Sequence, residues 1–318
     1  SYGSVVGKKE HEGPLSNEFD AYTTDSFFGE KSFEKAESKL QKTAVQTALD
    51  KAGLTPDDID NIFAGDLLNQ CIGSSFGLRS FGIPFIGLYG ACSTMALSAG
   101  LAAVFIDSGA AKKTISVTSS HFCSAERQYR FPLNYGSQRT PTAQWTVTGS
   151  GALILGKDGG DIYINSVTFG EIEDLNIKDA NNMGAAMAPA AILTLSRCFR
   201  QTGTAPADYD LILTGDLGAE GSAILTELMA GEGYDMRGVY NDCGVLIYDR
   251  AAQKMRAGGS GCGCSASVLA AYVLPRLSRG ELKNVLFVAT GALMSPMSVA
   301  QGDSIPAVAH LVHLCSPL

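Results

Sequence analysis

Apolar residues recur at helical spacing through Phe33, Ala36, Leu40, Ala44, Ala48 and Ala52. Ser32 stands ahead of them as a cap and Gly53 behind them as a left-handed stop, so the pattern predicts a helix over 33–52. A second helix is predicted from roughly Ala188 to Gln201, with Gly203 in the role of Gly53. Short apolar runs bounded by turn residues predict buried strands at Ile115–Thr118, Gly151–Gly156 and Ile162–Phe169, and a last strand carrying His310 and His313. Between Arg79 and Asp107 no residue is charged. That stretch is long enough to mimic a membrane span, but Gly82, Pro84, Gly87, Gly90 and Gly100 interrupt it. It reads as a buried strand, a turn and a buried helix.

The same pattern occurs twice. Thr55–Leu67 is TPDDIDNIFAGDL and Ala205–Leu217 is APADYDLILTGDL, with Pro, Asp, Asp, Ile, Gly, Asp and Leu identical. Each copy is a turn, a short apolar strand and a Gly-Asp loop. Further on, Gly90-Ala91-Cys92-Ser93 opens an apolar helical stretch to Ile106, and Gly263-Cys264-Ser265 opens another to Leu277. The pattern therefore matches the elbow at Cys92 with the turn at Cys264. The strands GAAKKTISV (109–117) and GELKNVLFV (280–288) follow them. Alternating apolar strands and helices mean an α/β fold with a parallel-rich sheet covered on both faces. Two halves, 1–158 and 159–318, are expected to pack as a pseudo-symmetric, five-layered sandwich. The opening fits least well. Only Ser4–Val6 reads as a strand before a polar run through Glu30, and whether that strand is cut short is left open.

Composition narrows the function classes. The chain has 318 residues, 45% apolar and 18% charged, with a net charge of −8. An acidic chain without a basic stripe argues against nucleic acid as the main partner. No charged segment followed by an apolar stretch opens it, so no signal peptide is expected. Eight cysteines are scattered through a chain too large to need disulfide staples, and free thiols are expected. Cys262, Cys264, His310 and His313 lack the spacing of a zinc module, so no metal is expected.

Cys92 sits between a buried strand and a buried helix, the arrangement of a nucleophile elbow. The helix N-terminus there is expected to lower its thiol pKa, although a small core cysteine at a tight turn has the same signature. His121 follows the strand at Ile115–Thr118, where ligands gather in parallel sheets. Arg127 and Arg130 share a face if helical and offer forks for a carboxylate, unless Arg130 simply pairs with Glu126. His11, His310 and His313 read as structural. GALILGKD (151–158) mimics a phosphate loop but lacks its final Ser or Thr, and Asp66 and Asp216 read as turn residues.

The strings AGDLLNQ (64–70), GACST (90–94), TSSH (118–121), AERQYR (125–130), QWTVTGSGA (144–152), MGAAMAPAA (183–191), LILTGDL (211–217) and GGSGCGCSA (258–266) carry a resemblance over nearly the whole chain. The sequence resembles the thiolase fold, its β-ketoacyl-acyl-carrier-protein synthase III enzymes and, more closely, the stage V sporulation protein AD family. In the synthases a cysteine takes the acyl group, and a histidine and an asparagine stabilise the charges that form. The resemblance places Gly215-Asp216 where that histidine stands and Gly261-Cys262 where the asparagine stands. It therefore implies no enzyme and no cofactor. It implies a protein that binds pyridine-2,6-dicarboxylic acid (dipicolinic acid) and supports its uptake into the developing spore. Such a protein is peripheral to the inner spore membrane, works with other proteins of a dipicolinate transport complex and forms a homodimer. The expected ligand pocket lies at the Cys92 helix N-terminus and includes His121, with Arg127 or Arg130 reaching it. The alternatives are an acyl-transfer enzyme using Cys92 and a scaffold of a membrane transport complex.

Overall fold

The computed structural model describes residues 1–129 and 139–317. Arg130 lies outside the described residues. The first half runs β1 (Tyr2–Val6), α1 (Lys8–His11), β2 (Ala21–Tyr22), α2 (Phe33–Ala52), β3 (Asn61–Gly65), α3 (Ile72–Leu78), β4 (Phe85–Gly87), α4 (Thr94–Asp107), β5 (Lys113–Ser120), α5 (Phe122–Tyr129), β6 (Gln144–Thr146) and β7 (Gly149–Gly156). The second runs β8 (Tyr163–Thr168), α6 (Met183–Thr202), β9 (Leu211–Thr214), α7 (Gly218–Gly231), β10 (Tyr240–Asp242), α8 (Cys243–Leu246), β11 (Gly258–Ser260), α9 (Cys262–Val268), α10 (Leu274–Ser278), β12 (Asn284–Ala292), α11 (Pro296–Ala300) and β13 (Ala307–Cys315).

The duplication read from the sequence is visible in the sheets. One has the order β2-β1-β7-β5-β3-β4 and the other β10-β9-β12-β13-β8. Read from β1 and from β8, the two orders coincide strand for strand, and so do the pairing directions. β5 runs parallel to β3 and antiparallel to β7, as β12 does to β9 and β13. Only β2 has no counterpart. β1 pairs all five of its residues with β7, so the opening strand of the first half is present.

The halves interlock. α2 covers the outer face of the first sheet and α6 the outer face of the second. α4 packs on β3 and β5 and also on β12 and β13, while α9 packs on β5 and β7 and touches α4. These two central helices are covered from both sides, which is why their residues are apolar or small around the whole circumference. Helix, sheet, helix pair, sheet and helix make the five layers.

Local details follow the sequence with three exceptions. Ser32 Oγ accepts the Lys35 N–H and Gly53 adopts φ 63°, so α2 begins and ends as its pattern predicts. α6 starts at Met183 rather than near Ala188, because Asn182 caps it by accepting from Ala185 N. Pro189 stands inside this helix, and Gly184 lets it approach Gly221 of α7 closely. The second central helix starts at Cys262 behind Gly261 (φ 104°) and continues through a π-helical stretch at Leu269–Val273. Cys264 thus lies inside the helix, and the counterpart of the Cys92 elbow is the turn at Gly261. GALILGKD falls mostly in β7, as its apolar run predicts. No helix among the described residues is long and apolar enough to cross a membrane.

Candidate functional site

The elbow lies between β4 and α4. Ala91 carries φ 51°, a left-handed conformation that costs free energy for a residue with a Cβ. The strain is held by local bonds. Ser93 Oγ donates to Gly90 O at 2.6 Å, and Thr94 Oγ1 donates to Ala91 O at 2.6 Å. From the other half, β12 presses Gly291 against Gly90, at a distance where no Cβ would fit. Elements from both halves therefore fix the elbow.

Cys92 is 6% exposed and packs among Leu67, Ala125 and Cys262. It lies beside the Asp216 carboxylate, whose charge acts on the thiol. Asp216 accepts from Gly261 N at 2.8 Å and from Thr290 Oγ1 at 2.9 Å, and it is fully buried. Gln144 holds the same loop by donating to the Asp216 carbonyl at 2.7 Å and to Gly259 O at 2.8 Å. Cys262 donates its Sγ–H to Ser119 O at 3.0 Å. Folding thus brings Cys92, Asp216 and Cys262 together from three distant stretches of chain.

The electrostatics reverse one expectation. A helix N-terminus alone would lower the Cys92 pKa, but burial raises it well above the usual thiol range, and the Asp216 and Cys262 charges add to that. Burial likewise raises the Asp216 carboxyl, offset in part by the hydrogen bonds it accepts. The thiol is held in its protonated form and not as a thiolate.

A second acidic group lies under the first half. Glu37 of α2 accepts from Ser119 Oγ at 3.2 Å and from Ser124 Oγ at 2.6 Å. Asp66 accepts from Leu68 N, Ser74 N and Ser74 Oγ at 2.9, 2.8 and 2.5 Å. Gln41 links the two by donating to Ser74 Oγ and Ser119 Oγ, at 3.1 and 3.3 Å, while its own Oε1 has no partner. Burial first and the neighbouring Asp66 second push the Glu37 pKa up to about 8. Reading Asp66 as a turn residue was sound as far as its backbone bonds go. Its pairing with Glu37 was missed because a lone Glu on the helix pattern reads as solvent-facing.

The residues expected to share one pocket occupy three different surroundings. His121 Nε2 donates to Ser26 O at 2.8 Å, and its Nδ1 accepts from Cys123 N at 3.1 Å. Both ring nitrogens are engaged, and burial lowers the pKa of the ring, so it is neutral. Arg127 reaches Glu34 of α2 in an ion pair and lines a cavity of about 340 Å³ with Asn69, Gln70 and Gln128. Cys92 lines neither that cavity nor the one beside His121. The physical reason is that α5 lies across the Leu67 loop. Gln128 Nε2 and Tyr129 OH donate to Leu67 O at 2.9 and 2.7 Å, and this closes the loop over the thiol. His310 and His313 are held in β13, where Gly170 N donates to His310 Nδ1 at 3.2 Å and His313 pairs with Asn284.

Comparison with known proteins now bears on this geometry. The profile of the family described as stage V sporulation protein AD matches residues 1–315. The chain belongs to the stage V sporulation protein AD family. It is 45% identical over 310 residues to stage V sporulation protein AD of Bacillus subtilis (strain 168), covering 98% of this chain and 91% of that protein. Among solved structures it is similar to 3-oxoacyl-[acyl-carrier-protein] synthase III of Aquifex aeolicus VF5. That match covers 99% of this chain and 98% of the other at 14% identity, with a TM-score of 0.60. A tetronic acid condensing enzyme, AbyA1, matches over 86% of each chain at 16% identity, with a TM-score of 0.56. At such identities the two enzymes establish the thiolase-like fold and not an activity. In this sporulation protein the strained elbow of that fold carries a buried, protonated cysteine facing an aspartate.

Proposed function

We propose that this sporulation protein is a non-catalytic member of the thiolase fold. In this reading it binds dipicolinic acid and supports the uptake of that compound into the developing spore, at the inner spore membrane and together with other proteins of the transport complex. The observation that supports the non-catalytic part is the Cys92–Asp216 contact. Acyl transfer needs a thiolate nucleophile and donors aimed at a forming oxyanion. Here the thiol is buried with a raised pKa, and its partner is a carboxylate that repels negative charge. Family membership and the resemblance read from the sequence support the ligand.

The test is thermal unfolding of the purified chain with dipicolinate and, separately, with acetyl-CoA. Ligand at a hundred times its dissociation constant stabilises by about 2.7 kcal/mol. A rise in midpoint with dipicolinate alone, and no decarboxylative condensation of malonyl and acyl thioesters, is the expected result. Turnover that disappears in Cys92→Ala would instead establish an acyl-transfer enzyme. Indifference to both ligands would leave the scaffold reading.

A second copy of this chain is the proposed partner of the β4 edge. Phe85 on that edge strand, with Ile72 and Phe76 of α3 and Tyr89 of the elbow, are large apolar side chains left exposed. Pairing two such edges would cover them and extend the sheet. Sedimentation equilibrium is expected to read a dimer that Phe85→Lys converts to monomer. A monomeric wild-type chain at micromolar concentration would refute the pairing.

A further inference from the structure

The second sheet has a bare edge where the duplicated first sheet is covered. In the first half the edge strand β1 carries β2 outside it, with Val5 paired to Ala21 and Val6 to Tyr22, and Thr23 N donates to Val6 O at 2.9 Å. In the second half β8 is the edge strand, and no strand lies outside it among the described residues. The registers identify the matching place. Ile62 pairs with Ile115 and Ile115 with Ile154, as Ile212 pairs with Leu286 and Leu286 with His313. Along the same strands Ala152 faces Gly3 and Leu311 faces Thr168, so Gly170 and Glu171 stand where Val5 and Val6 do. We propose that this edge, from β8 through Ile172, docks an extended segment of another protein in which apolar and basic residues alternate.

The backbone there is laid out for pairing. Beyond β8 the chain stays flush with β13. Gly170 lies so close to Ala309 O that no Cβ would fit, and Glu173 exchanges N–H to O bonds of 2.8 and 2.7 Å with Ala307. The edge also lacks the usual protection, since β8 reads YINSVT, without a charge or a proline to keep another strand away. Ile172 and Leu175 are 65% and 63% exposed, and Tyr163 and Phe169 are exposed as well. An added strand would bond the outer side of this backbone and cover these side chains. The charge of the partner follows from their neighbours. Glu171, Glu173 and Asp174 interleave with Ile172 and Leu175, and Arg197 is paired to Glu171 at 2.7 Å. His310 and His313 of the adjoining β13 are kept neutral by burial. Such a row attracts lysine and arginine and repels an anionic lipid surface. The β4 edge belongs to the other sheet, so this docking depends neither on the pairing of two copies nor on the ligand.

The probe is a displayed library of random peptides, panned against the full chain and in parallel against Ile172→Lys. Leu228→Lys is the control, an exposed apolar site on α7 beside β10, the opposite edge of the same sheet. Circular dichroism verifies that each variant is folded. The expected result is a set of peptides alternating apolar residues with Lys or Arg. They should bind wild type and Leu228→Lys alike and lose about tenfold or more in affinity for Ile172→Lys, which removes an isoleucine contact and adds a like charge. Methylating alternate backbone nitrogens of such a peptide should abolish binding, because it can then no longer add to the sheet. Peptides that bind Ile172→Lys as well as wild type, or that carry no basic excess, overturn the proposal, and so does a library that yields none. If Phe85→Lys still sediments as a dimer and adding Ile172→Lys dissociates it, the edge belongs to a second copy. If wild type binds phosphatidylglycerol vesicles and Ile172→Asp does not, it belongs to a membrane. Either result overturns the proposal too.

Discussion

Gly151→Ala is expected to destabilise this protein severely. Gly151 lies in β7 where α9 crosses from the other half, and a Cβ there would overlap the carbonyl, the carbonyl carbon and the Cα of Ala266. These are backbone atoms, so no side-chain rotation relieves the clash. One sheet has to move against the central helix layer that ties the halves together. Overpacking of a core costs about 1–3 kcal/mol, and contact with backbone places this site at the upper end of that range or beyond it. Urea unfolding should show a drop of about 3 kcal/mol or more, with failure to accumulate as the extreme case. Gly156→Ala, at the exposed end of the same strand, meets nothing closer than 3.7 Å and should change stability by no more than about 0.5 kcal/mol. Equal effects at the two positions would mean that the layers are not locked at Gly151.

The second large effect is a dependence of stability on pH, carried by Glu37. Its pKa rises from 4.5 in the unfolded chain to about 8 in the fold, first through burial and then through Asp66. Between those values the native state holds a proton that the unfolded state has lost. Its contribution to stability is therefore complete below about pH 4.5 and is lost as pH rises toward 8, with a slope of about 1.4 kcal/mol per pH unit. Asp242, raised to about 6 by burial, adds a shorter limb of the same sign. Glu37→Gln isolates the first limb. The amide carries no charge at any pH. Wild type minus variant should lose stability steadily across this window and level off above pH 8. A flat difference would mean that Glu37 titrates near its ordinary value, with water reaching it.

Much of the fold was legible along the chain. The two Gly-Asp-Leu copies, the Ser32 and Gly53 stops and the apolar runs of β5, β7, β12 and β13 are local signals. Each records a backbone preference or a side-chain period that needs no distant partner, and repetition doubles the information. The elbow was legible for the same reason, since a glycine and a small residue before an apolar helix permit few geometries. The family followed from the motifs, because such strings persist only where the packing around them is shared.

The chemistry of the site could not be read in this way. That Cys92 would be a buried thiol instead of a thiolate depends on Asp216 and Cys262, which lie far along the chain and meet it only when the halves interlock. A pKa is set by desolvation and by charges within a few ångströms, and sequence order encodes neither. His121 looked available because it follows a buried strand, and Arg127 because its guanidinium offers a fork for a carboxylate. The fold instead assigns them the Ser26 carbonyl and the Glu34 carboxylate, both supplied by the polar run and helix start that precede them by some ninety residues. Sequence alone determined the elements, their duplication and the family. Tertiary structure decided which polar groups were left without partners, because partners are assigned by the packing of distant segments.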